Sequence, residues 1–253
     1  MEPAPISRRL FLLVYGASGA AALIYEVTWL RLLTLHIGHG IAAASTVLAA
    51  FMGGLAVGSA VGGHFGGRLS IRSALLVYAA IEIAIAVLAI LLPLELTVVQ
   101  PLLAGAYADG NPGITFPVLR LALSLILLAL PTAAMGATFP IASRLFVPTA
   151  ARAASDAGNL YTVNTIGAAL GAVLAGFVLL PAIGLRGTIW VGVALNLIAA
   201  TVVANASRMT LAPAAAITDV PVARGKRAKP EPAKRDAGLL WTAGLAVALS
   251  GFA

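Results

Sequence analysis

The chain has 253 residues, 60% of them hydrophobic and only 10% charged, with a mean hydropathy of +1.00. An ordinary soluble domain carries about 25% charged residues, so a water-facing globule is excluded and the composition predicts an all-α, polytopic membrane helix bundle. The net charge of +7 does not point to nucleic acid, because most of the Lys and Arg sit at the ends of apolar runs, where they orient a membrane protein.

A β-barrel is excluded as well. Its strands alternate polar and apolar residues over about ten positions, whereas these runs are about twice as long and rich in Ala, Leu and Gly. A bilayer core about 30 Å thick takes about 20 apolar residues per helix. Six runs meet that length, at about 10–33, 41–63, 73–96, 116–140, 159–181 and 187–206. The predicted organisation is a six-helix bundle over 1–206, a basic, proline-rich cytoplasmic linker over 207–237, and the start of a truncated seventh helix over 238–253. With the N-terminus cytoplasmic, only Arg31, Arg120 and Arg186 of the 16 Lys and Arg fall near the outside. The expected location is a membrane, crossed several times. There is no Cys, which excludes disulfides and thiolate metal sites.

Span one opens on "SRRLFLL", which looks like a twin-arginine export signal, but its apolar run continues to Leu33. A cleaved signal has a much shorter apolar region, so an uncleaved first span is expected. Within it, "YEVTWLR" sets Glu26 between Tyr25 and Trp29, with Arg31 beyond. His36 and His39 follow in an outer loop while His64 lies at the far end of span two, so no metal centre is expected.

Span two carries Gly54, Gly58, Gly62 and Gly66 at four-residue spacing, on one helical face. Small residues in such a row let a second helix approach closely, and the expected role is packing. Span five repeats the device with Gly167 and Gly171. Between spans two and three, "GGHFGGRLSIR" resembles the major facilitator loop signature, with Gly67 where an acidic residue is expected.

Span three holds Glu82 one turn after Tyr78, while Glu95 is expected at its end. Span four contains Pro131 and Pro140, each of which removes a backbone hydrogen bond; Thr132 and Thr138 are local donors able to compensate. Asn164 in span five and Asn196 in span six add amides.

A charge at the bilayer centre costs from about 2.5 kcal/mol upwards, so Glu26 and Glu82 should face the interior. Two readings stand side by side. Glu26, Glu82, Tyr25, Trp29, Tyr78 and Asn164 line a polar cavity for a cation or proton, the aromatics holding an ammonium by cation–π attraction; or Arg31 or Arg120 neutralises a glutamate within the bundle. No catalytic constellation is present.

Taken together, "SGAAALIYEVTWLRLL", "VLAAFMGGLAVGSAVGG", "LPTAAMGATFPIASR" and "NLYTVNTIGAALGAVLAGFVLLPAIGLRGT" resemble the membrane portion of the bacterial fused facilitator/spermidine-synthase family. The resemblance implies a facilitator-like bundle, with further C-terminal helices and a soluble, Rossmann-like synthase domain as partners. It implies aminopropyl transfer from decarboxylated S-adenosylmethionine to a polyamine in such a parent protein. For this chain it implies anchoring of that chemistry at the membrane or movement of a polyamine. A scaffold without activity of its own is the alternative.

Overall fold

The computed structural model of the chain describes residues 6–37, 41–106, 114–147 and 150–209. Most of the expected linker and the expected start of a seventh helix lie outside the described residues. The described elements are helical: α1 (Arg8–Ile37), α2 (Ile41–Gly66), α3 (Ile71–Ala106), α4 (Thr115–Phe146), α5 (Ala153–Leu174) and α6 (Leu180–Met209), with a short 3-10 turn before α5. A five-residue π segment, Ala175–Leu179, joins α5 to α6. Five stretches are long and apolar enough to cross a membrane, and the fifth runs from Ala153 to Arg208. The molecule is thus a helical, multi-pass membrane protein.

That fifth stretch has 56 residues, about 84 Å at 1.5 Å per residue and far beyond one bilayer. It bends at Gly184, whose φ of 66° and ψ of −175° belong to a region open essentially to glycine alone. The Thr188 hydroxyl donates to the Gly184 carbonyl at 2.7 Å, satisfying the acceptor at the bend. Pro181 just before it removes one helical hydrogen bond. Both α5 and α6 pack along α1.

Three further details depart from expectation. The span expected at 73–96 is a 36-residue helix that continues through Pro93 and Pro101, so Glu95 lies inside α3 and not at its end. Likewise α6 continues to Met209, into the residues expected to begin the linker. In α4 the prolines at 131 and 140 free the carbonyls of Leu127 and Gly136, four residues earlier. Thr132 and Thr138 donate instead to Leu128 and Met135, so neither compensates for its proline.

Two pairs of helices interlock through small residues. A β-carbon on Gly54 would lie 1.7 Å from the Thr132 hydroxyl, and one on Gly58 1.8 Å from the Ala133 carbonyl oxygen. Further along, Gly62 meets Ala137 and Gly66 meets Ile141, so the whole row on α2 faces α4. Between α1 and α5 the same logic holds: a β-carbon on Gly167 would sit 2.0 Å from the Gly16 carbonyl oxygen, and one on Gly171 2.3 Å from that of Ala20. Side chains of any size would force these backbones apart, and in lipid such close packing replaces the missing hydrophobic drive.

The interior contains two apolar clusters, one above the other. The first gathers Phe11, Tyr15, Leu75, Tyr78, Phe146 and Val203. The second gathers Tyr25, Trp29, Phe51, Ile85, Leu92 and Leu128. Along α1, α3 and α6 the residues between them are Ser18, Glu82 and Asn196. A thin polar layer therefore crosses the bundle between two apolar cores. Large apolar side chains such as Leu13, Ile126 and Phe177 are exposed, as expected where lipid is the solvent.

At the end of the bundle where α1 starts, Arg8 pairs with Asp156 of α5, the one ion pair among the described residues. Its guanidinium also donates to the Phe146 carbonyl and lies 4.0 Å over the Phe146 ring. This single residue ties α1 to α4 and α5.

Candidate functional site

The polar layer is built around Glu82, which is fully buried. From α1 the Ser18 hydroxyl donates to Oε1 at 2.6 Å. From α6 the Asn196 amide Nδ2 donates to Oε2. The carbonyl Oδ1 of the same amide accepts from the Tyr25 hydroxyl at 2.8 Å. In this orientation the phenol donates to the amide carbonyl while the amide N–H reaches Glu82.

Local sequence explains how these groups meet. Ser18 stands in a run of Gly and Ala, so α1 is thin where α5 presses against it. Gly192, one turn before Asn196, leaves room for the Tyr25 ring, since a β-carbon there would be 2.6 Å from its Cε1. Tyr25 stacks on Trp29 with ring centroids 5.2 Å apart and an interplanar angle of 12°, which holds the phenol in place. The Tyr78 hydroxyl lies beside Ser18 and the Glu82 carboxyl, buried and without a well-formed hydrogen bond.

Next to this layer is a cavity of about 110 Å³ whose walls include Ser18, Gly19, Met135, Thr138, Asn164 and Asn196. Glu82 is not among its lining residues; Ser18 and Asn196 stand between the carboxyl and the open space. At about 30 Å³ of liquid volume per water, the cavity holds about three or four water molecules.

Of the residues singled out in the sequence, Glu82, Tyr25 and Tyr78 come together around the layer, and Asn164 lines the cavity with its side chain against Gly19 of α1. Trp29 does not reach it: the ring is wholly buried in an apolar cluster, with its indole N–H unpartnered. Glu26 is only half-buried, next to Tyr25 in sequence but turned about 100° round the helix. Among the described residues it is paired with neither Arg31 nor Arg120, and no hydrogen bond joins it to the Glu82 layer. Arg120 lies 6.0 Å over the Phe116 ring. Neutralisation of a glutamate by Arg31 or Arg120 is therefore not what the described residues display.

Three participants have little or no signature in the sequence. Ser18 carries no signal of its own, because a serine amid glycines and alanines reads as a packing residue. Asn196 is visible as a mid-span amide, but its partner on α3 is not. Tyr15, beside Thr138 and within electrostatic reach of Glu82, looks like any aromatic core residue. No family model, curated protein or solved structure matches this chain.

Proposed function

We propose that the chain is a facilitator-like membrane domain of the fused spermidine-synthase type, crossing a bacterial inner membrane six times with its N-terminus cytoplasmic. The reversal at Gly184 supports six crossings: α1 spans about 45 Å by helix rise, too short to be lined by α5 and α6 laid end to end. Asn164 of α5 and Asn196 of α6 also border the same cavity, as helices running back past each other would.

Within this bundle the polar layer serves the handling of a cation or proton by a transporter-like domain, and a polyamine is the solute that the family resemblance suggests. The observation that carries this reading is Glu82: a carboxyl sealed at mid-bundle, held by neutral donors from two other helices, beside a small polar cavity. Intramembrane carboxyls are costly and mark ion or proton pathways more often than they stabilise a fold. The cavity is too small for an extended polyamine, so such a solute reaches the layer only after neighbouring helices part.

A scaffold reading has its own support. The α2–α4 and α1–α5 pairs are locked backbone to backbone, and Tyr25, Trp29 and Tyr78 are wholly buried and do not form the walls of an ammonium site. On that reading the bundle anchors a synthase domain using decarboxylated S-adenosylmethionine, and contributes no chemistry.

Uptake of labelled spermidine into proteoliposomes separates the two. Transport predicts uptake by the wild type and loss of at least tenfold in E82Q. Absence of uptake in the wild type, with intact synthase activity in an E82Q parent protein, would leave the scaffold.

A further inference from the structure

We infer that Glu82 is a proton-binding site: its carboxyl is held as a neutral acid that donates to the Tyr78 hydroxyl and exchanges its proton with the central cavity through Ser18. This deepens the transporter reading by naming the species bound at the layer.

The donor and acceptor inventory carries the inference. A metal cation is held by several oxygens with lone pairs turned inward. Here both carboxyl oxygens already accept, from Ser18 and Asn196, and the one amide oxygen nearby is turned away to accept from Tyr25. Each carboxyl oxygen keeps one lone pair, which suffices for a proton but falls short of the oxygen set that a metal ion gathers.

Charge points the same way. The titratable groups facing Glu82 are the phenols of Tyr15 and Tyr25 on α1 and Tyr78 on α3; α6 contributes Asn196, and α4 contributes Thr138 beside Tyr15. Among the described residues no Lys, Arg or His meets the carboxyl. An ionised carboxylate there would be a buried charge without a counter-charge, which protein interiors avoid by neutralisation.

The Tyr78 hydroxyl completes the picture. It is buried beside the carboxyl without a well-formed hydrogen bond, and a buried polar atom left so is rare. A carboxylic O–H on Glu82 gives it a donor, while the phenol O–H serves a carboxylate equally well, so the missing counter-charge, and not this contact, selects the neutral acid. Ser18 lines the cavity and touches Oε1, so its hydroxyl can pass a proton to water by accepting one and donating another, with no net change on the serine.

Infrared spectroscopy of the reconstituted chain tests this at neutral pH. The expected result is a protonated-carboxyl C=O stretch that is present in the wild type, missing in E82Q, and shifted in heavy water within minutes. Y78F, which keeps the carboxyl but removes its acceptor, moves that stretch to higher frequency, and S18A slows its exchange at least tenfold. Sodium leaves it unchanged. An ionised-carboxylate signature at Glu82, an unmoved stretch in Y78F, or loss of the stretch on adding sodium would each overturn the inference. The readout is independent of uptake, so a chain that moves no solute still reveals whether Glu82 holds a proton.

Discussion

Asn196 grips Glu82 with one end of its amide while the other end accepts from Tyr25, so that α1, α3 and α6 are joined through a single side chain. Both ends of the amide are thus engaged. Replacing it by Leu strands the Tyr25 hydroxyl and one carboxyl oxygen of Glu82 at once. A buried polar atom so stranded costs about 1–3 kcal/mol, and N196L is expected to lower the thermal midpoint in detergent by several degrees, while N196Q recovers part of the loss.

The α2–α4 contact gives a sharper contrast. Gly58 meets the Ala133 carbonyl oxygen, whereas nothing lies within 4 Å of a β-carbon placed on Gly63 of the same helix. G58A is expected to destabilise by about 1–3 kcal/mol through overpacking, with a larger loss for G58V. G63A should be neutral or slightly stabilising, since Ala is the better helix former. Folded yield and midpoint, compared in one detergent, read the difference.

At Gly184 the restriction is conformational, because open space surrounds the position. A side chain there must be held at φ of 66°, which costs about 1–3 kcal/mol at such backbone angles. G184A should therefore lower stability, while G176A, in the π segment with equal space, should not. Denaturant midpoints for the two variants check this.

For the Arg8–Asp156 pair the two deletions should differ. Asp156 is buried and Arg8 about half exposed. R8A leaves a carboxylate enclosed without its partner, whereas D156N frees a guanidinium that still reaches solvent and the Phe146 ring. R8A is expected to be the more damaging, and a double-mutant cycle on thermal midpoints measures the coupling.

Much of this architecture is legible in the chain. The long apolar runs predict the helices, and the glycine spacing of α2 marks a close helix contact on a definite face. Glu82 stands out because a lone acid in an apolar run is expensive. Glu26 carries the same signal and yet stays out of the layer, because one position round a helix turns a side chain by about 100° and no sequence pattern says which face a neighbour will cover. The run expected to end near residue 96 continues as helix through Pro101 to Ala106, since packing against α4 and α6 holds the helix together beyond the lost hydrogen bonds. Ser18 and Asn196 acquire meaning only through contacts 64 and 114 residues distant from Glu82 in the chain. Such pairings are properties of the fold.

Whether Glu82 works or merely holds helices together is decided by proton movement through the reconstituted protein. A pH indicator trapped inside proteoliposomes, with an inward spermidine gradient imposed, should report a proton flux for the wild type. E82Q should keep the wild-type thermal midpoint, because a glutamine replaces a neutral acid at equal volume, and should show less than a tenth of the flux. Equal flux in the two proteins would mean that the carboxyl takes no part in transport.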